Sequence, residues 1–208
     1  MAETVYTIGH STHRIEHFIS LLEMHGITAI SDVRSHPYSH VAPQFDRERL
    51  KTSLHAAGIA YVFLGDNLGA RTTDEFCYAN GRVQYARLAS TASFSDGLKR
   101  IVMGTKAYRV ALMCAEKEPL ECHRTILIAR HLEAQNIPVN HILADGKLET
   151  HTTALYRLMD MLGVPDNDIF RSPDQLIADA YAQQEERIAY HPANRANRWS
   201  GIDHGGRR

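Results

Sequence analysis

Short apolar runs alternate along this chain with segments whose apolar residues recur at helical spacing, and that alternation constrains the fold more than any other feature. Residues 5–9 read as a strand. A cap at Ser11 and Thr12 follows, then Ile15, Phe18, Ile19 and Leu22 lie on one helix face. Further strands are expected at 29–33, 59–64, 108–114 and 139–143. Helical spacing returns at 46–57, 83–89, 94–102, from about 121 to 132, and through Leu155, Leu158, Met159 and Leu162. Strands that alternate with helices are joined by right-handed crossovers into a mostly parallel sheet covered on both faces. The expected fold is a single α/β domain with a mainly parallel five-stranded sheet and a C-terminal helical extension.

The α/β domain is expected over 1–165. Residues 166–208 form a C-terminal helix, opened by Ser172-Pro-Asp-Gln175, and a basic tail. Residues 191–208 carry four Arg against one Asp, although the whole chain has 23 basic and 24 acidic residues. Such a tail reads first as a solvated end and second as an arm that grips a partner subunit or a polyanion. The apolar stripe Leu176, Ile177, Tyr181 and Ile188 could join two copies into a homodimer. Segment 65–81 has no clear period and is expected to be a functional loop.

A 208-residue chain that is 44% hydrophobic and 23% charged has a core and is not disordered. Its net charge of −1 argues against bulk attraction to phosphate backbones. Three cysteines, Cys77, Cys114 and Cys122, are too few for a disulfide framework. The first residues lack a secretory pattern and no apolar run is long enough to cross a membrane, so the cytoplasm is the expected compartment. Nothing in the sequence calls for a cofactor.

Ligands of parallel sheets bind beyond the carboxyl ends of the strands. Three clusters fall there. Thr7-Ile-Gly-His-Ser11 runs from a strand into a helix start, where a glycine allows close backbone approach and free amides favour an anion. Asp32-Val-Arg34 follows the second strand; it is either an anion clamp or a local ion pair steadying the loop. The stretch from Met113 to Arg124 is the most informative. It sets Cys114 at a strand end, Glu116 in the loop, and Cys122, His123 and Arg124 at a helix start. Helix amides and Arg124 should make Cys122 the more acidic thiol, while Cys114, buried near Glu116, should keep its proton. Such a pair could act as nucleophile and resolving partner, joined reversibly by oxidation. Cys77 reads as filler.

With Tyr6-Thr-Ile-Gly-His-Ser11, Asp32-Val-Arg34, Pro43-Gln-Phe45, Leu68-Gly-Ala-Arg71, Met113-Cys-Ala-Glu116 and Cys122-His-Arg124, the chain resembles the domain of unknown function 488 family. The motifs keep the family's order and spacing over residues 5–143, and Ala70 departs from it where a second glycine is usual. The resemblance implies the same fold and site, adds Arg71 to the substrate-binding residues, and supplies no reaction. A weaker similarity is to rhodaneses and cysteine-dependent phosphatases. It fails because Cys114 and Arg124 are ten positions apart and three Glu lie between them.

The leading expectation is a thiol-dependent enzyme acting on an anionic, nucleotide or nucleic-acid-derived substrate. Cys122, Cys114, His123 and Glu116 would carry the chemistry, and His10, Ser11, Arg34, Arg71 and Arg124 would hold the substrate. The alternative is a non-catalytic module that binds phosphate, nucleic acid or protein. A metal site using Cys114, Cys122 and either His123 or His10 stands third. Seven residues separate the cysteines, unlike the compact spacing of structural zinc sites, so no metal ligand is assigned from sequence.

Overall fold

The computed structural model describes residues 4–192. Its first strand, β1 (Val5–Gly9), is buried throughout and leads to α1 (Ile15–Met24), which buries Phe18, Leu21 and Leu22. Next come β2 (Ala29–Asp32), α2 (Arg47–Ala56) and β3 (Ala60–Phe63). The segment expected to be a loop holds a short helix, α3 (Gly65–Leu68), and a small hairpin of β4 (Tyr78–Ala79) and β5 (Arg82–Val83). Helices α4 (Tyr85–Ala89) and α5 (Ala92–Gly104) lead to β6 (Val110–Cys114), again wholly buried. After a π-helical stretch, Arg124–Ala129, and α6 (Arg130–Glu133) come β7 (Val139–Ile142), β8 (Leu148–Thr150), α7 (His151–Leu162) and α8 (Pro173–Ile188).

The main sheet runs β3-β2-β6-β1-β7-β8. All pairings are parallel except β7 with β8, which is antiparallel. The sheet therefore has six strands where five were expected. The sixth is a three-residue return after Gly146, which takes φ +83°; too few residues alternate there to give a sequence signal. Strand β6 starts at Val110 and not at 108, because the Tyr108 amide still closes a turn onto the Gly104 carbonyl at 3.0 Å.

Alternate residues of each strand serve opposite faces. Ile8, Ile30, Ala111 and Met113 pack with Phe18, Leu22, Leu50 and Leu54 of α1 and α2. Val110, Leu112 and Cys114 belong to the other face, with Phe94, Leu98, Ile126 and Leu158. Helix α8 carries the expected capping box, with Ser172 and Gln175 bonded reciprocally. Its Leu176, Ala180 and Tyr181 are buried in the core of this same chain, and Gln184 donates to the Leu120 carbonyl at 2.8 Å. The stripe offered for a partner subunit is thus used within the domain, since the π-helical stretch and α7 leave an apolar groove it fills. The basic stretch from residue 193 onward lies outside the described residues. Among the described residues no helix is long and apolar enough to cross a membrane.

Candidate functional site

The strand order puts three carboxyl ends side by side: β2, β6 and β1. Register pairs Asp32 with Met113 and Gly9 with Cys114. Each strand delivers one polar residue to the edge: Arg34 just after β2, Cys114 ending β6, and His10 just after β1. The loop after β6 is clamped against β1, with the His10 and Ser11 amides donating to the carbonyls of Cys114 and Ala115 at 2.9 Å. That approach requires Gly9, where a Cβ would lie 1.9 Å from the Glu116 carbonyl oxygen.

Arg124 holds the loop from beneath. It is fully buried, and its guanidinium donates to the carbonyls of Glu116 (2.7 Å) and Lys117 (3.2 Å). Expected to grip a substrate, Arg124 instead fixes the backbone carrying Glu116, because the loop folds over its guanidinium. Ser11 also lies apart from the cavity described below.

Asp32 and Arg34 form a buried two-pronged pair, Nε to Oδ1 at 2.9 Å and Nη2 to Oδ2 at 2.6 Å. Tyr61 donates to the same carboxylate at 2.9 Å, and Arg34 Nη2 also donates to the Phe45 carbonyl. Burial opposes the Arg34 charge, but the Asp32 hydrogen bonds outweigh it and raise its pKa. His10 Nδ1 donates to the Ser11 carbonyl at 2.7 Å, leaving Nε2 to accept from Arg34 Nη1 at 3.1 Å; its ring stacks on Phe45. Burial and the Arg34 charge lower the His10 pKa to about 4. His10, expected among the substrate-binding residues, is therefore neutral at neutral pH and lies on the cavity wall.

The thiols lie next to this pair. Cys122 is extended (φ −134°, ψ 142°) and His123 helical (φ −60°, ψ −25°), so the chain bends between them and both side chains reach one point. His123 Nδ1 lies 3.7 Å from Cys114 Sγ and 3.8 Å from Cys122 Sγ, and the three atoms are mutually within 4.8 Å. Its Nε2 donates to the Val33 carbonyl at 3.1 Å, which turns Nδ1 toward the sulfurs. All three cysteines are unpaired in disulfides, and Cys77 is core.

Burial raises the pKa of Cys114, reinforced by its hydrogen bond to Cys122. Burial opposes the Cys122 thiolate too, but the Cys114 hydrogen bond, the Arg124 charge and His123 outweigh it and lower its pKa. The Arg124 amide points at Cys122 Sγ from 3.5 Å, the helix-start contribution read from sequence. Glu116 Oε2 is 3.0 Å from Cys122 Sγ, and burial of the carboxyl group followed by the Cys122 charge holds Glu116 above the ordinary carboxylate value. Thiol and carboxyl compete for one proton.

A cavity of about 420 Å³ opens over this edge. His10, Arg34, Cys114, Glu116, His123 and Arg71 all line it; Cys122 does not, because it sits behind Cys114 and is 1% exposed. Arg71 comes from the segment after α3, stacks over the Tyr190 ring at 4.8 Å, and its guanidinium has no hydrogen-bond partner among the described residues. Sequence reading missed the rest of the wall: His36, Tyr38 and His40 from the loop after β2, Tyr85 from α4, and Tyr190 beyond α8. The cluster Ser35-His-Pro-Tyr-Ser-His40 was the available signal, since a loop this rich in imidazoles directly follows a sheet edge.

An open, mainly parallel α/β sheet with a thiol–imidazole–carboxyl cluster at its carboxyl edge is the class that fold and site define. The chain belongs to the family described as domain of unknown function DUF488, whose model matches residues 14–131. That span holds every site residue above except Gly9, His10, Ser11 and Tyr190. No curated protein matches the chain.

Proposed function

We propose that the protein is a thiol-dependent enzyme that takes a small anionic substrate of nucleotide type into the cavity at the sheet edge. The observation that carries this reading is that Cys114, His123 and Glu116 line the same cavity as Arg34 and Arg71. Sulfur, imidazole and carboxyl are the groups of nucleophilic and proton-transfer chemistry, and a buried cluster of all three at a cavity wall serves no packing need. Arg34 spends four of its five N–H bonds on Asp32, Phe45 and His10, so one remains for a substrate. Arg71 offers a whole guanidinium. Tyr38, Tyr85 and Tyr190 add ring surface suited to a base.

The test is a thermal-shift and calorimetric series with inorganic phosphate, pyrophosphate and the common nucleotides, followed by mass spectrometry for conversion. At least one anion should bind, more weakly by about 10-fold or more in Arg71→Ala, and its conversion should vanish in Cys114→Ser. No binding by any of these anions, or equal binding by Arg71→Ala, overturns the anionic substrate. Binding without conversion favours a non-catalytic binding module.

A further inference from the structure

We infer that Cys114 Sγ, Cys122 Sγ and His123 Nδ1 bind one zinc-type divalent ion, with its fourth coordination position open to the cavity. The first ground is distance. A tetrahedral ion with metal–sulfur bonds of about 2.3 Å and metal–nitrogen bonds of about 2.0–2.1 Å has S···N edges of about 3.6 Å and S···S edges of about 3.8 Å. The two S···N distances are 3.7 and 3.8 Å, and the sulfurs lie within 4.8 Å of each other. Closing these edges onto an ion takes shifts of a few tenths of an ångström for the nitrogen, and at most about 1 Å between the sulfurs.

The second ground is the orientation of His123. A histidine that ligates through one ring nitrogen usually donates the other N–H to a carbonyl or carboxylate, which fixes its tautomer. Nε2 donates to the Val33 carbonyl, so Nδ1 is aimed at the two sulfurs before any ion arrives. Both sulfurs lie within 3.8 Å of it, while the Cys122 thiol also reaches Glu116 Oε2 at 3.0 Å. Three ligand atoms gathered around one point are what a single ion needs. Thiolate and imidazole together suit zinc better than magnesium or calcium.

The third ground is access. Cys114 and His123 line the cavity while Cys122 closes the back. Three protein ligands with the remaining direction facing a cavity is the arrangement of a catalytic rather than a structural zinc site. The wide sequence spacing of the cysteines is no obstacle, because the parallel sheet supplies one ligand from a strand end and two from the following helix start. The inference deepens the proposed function: it makes the dependence on thiols a matter of ligation, and it rests on that reading only for the role of the open position.

The test uses the full chain, reduced and stripped with a chelator, then titrated with Co²⁺ in the absence of oxygen. One ion per chain should bind, giving the strong visible bands of tetrahedral cobalt and a near-ultraviolet sulfur-to-metal band. Cys114→Ser, Cys122→Ser and His123→Ala should each weaken binding by about 100-fold or more, whereas Cys77→Ser should not. Should those variants not fold, the wild type decides: zinc should protect both cysteines, mapped by mass spectrometry, from iodoacetamide. Absence of the sulfur-to-metal band or of zinc protection overturns the ion site. Added azide should shift the visible bands, and unchanged bands overturn the open position. Metal binding without any nucleotide binding leaves the ion site standing and defeats the substrate reading. Nucleotide conversion by a protein that takes up no metal does the reverse.

Discussion

The thiol cluster beside Cys114 and the histidine pair at His141 are both buried polar networks on the same sheet, yet their surroundings differ. Thr7 Oγ1 lies 2.7 Å from His141 Nδ1, His141 Nε2 lies 3.1 Å from His151 Nδ1, and His151 Nε2 lies 2.8 Å from the Tyr181 hydroxyl. If Thr7 donates to His141, His141 to His151 and His151 to Tyr181, every ring nitrogen is satisfied. All four residues are at most 4% exposed, and neither histidine lines the cavity at Cys114. The network ties β1, β7, α7 and α8 together. At Cys114 the network reaches the wall of a cavity, which Cys114, Glu116 and His123 all line.

Acid should separate the two regions most strongly. Burial, and then the neighbouring His151, lower the His141 pKa well below normal, and burial lowers that of His151 to about 4. The unfolded chain takes up protons on these rings near pH 6.5 and the folded chain refuses them, so stability is complete above that pH and lost as pH falls. Between pH 7.5 and 5 the loss should be about 2 kcal/mol for His151, with His141 adding to it in the same direction and His10, also lowered to about 4, contributing a similar amount from the site. Urea melts at the two pH values measure it. A His141→Leu/His151→Phe variant whose pH slope equals the wild type's would break the contrast.

The single change His141→Leu comes next. It strands the Thr7 hydroxyl and His151 Nδ1 in the interior and should cost about 3 kcal/mol at pH 7.5. The midpoint in urea reports this, and Co²⁺ uptake should be unchanged; weaker uptake would mean that the two networks are coupled. Tyr181→Phe, at the relay's far end, should cost about 1 kcal/mol, since one nitrogen loses its partner. The smallest effect belongs to the open cluster. Cys114→Ser is nearly isosteric and should change stability by less than about 1 kcal/mol while removing cavity-facing alkylation. A loss above about 2 kcal/mol would make Cys114 as structural as His141.

The same contrast explains what was legible in the sequence. Strands β1, β2, β6 and β7 announce themselves because strands buried on both faces are short apolar runs, the half-buried edge strand β3 keeps enough apolar residues to be read beside them, and the edge rule then gathers Arg34, Cys114 and His10. The hairpin of β4 and β5 was also written in the chain, as Asn80-Gly81 with φ +51° and +72°, but its two-residue strands carry no period. Other features have no local signal. Arg124 reads as an anion clamp until the loop's carbonyls are seen turned onto it. The contact of Arg71 with Tyr190 and the closure of Thr7 onto His141 join residues more than a hundred positions apart, and spacing cannot report them.

The strand order also sets a timetable. β1 and β2 are made first but never pair with each other; the slot between them is filled by β6, which begins only at Val110. As the chain leaves the ribosome, the first hundred residues hold β2 with β3 on one side and a lone β1 on the other, each with an unpaired edge. The strand that closes this gap brings Cys114 with it, and Cys122 and His123 follow within ten residues. Closure of the gap between β1 and β2 and assembly of the sulfur cluster are therefore one event in biosynthesis, and a nascent chain stalled before residue 110 has neither.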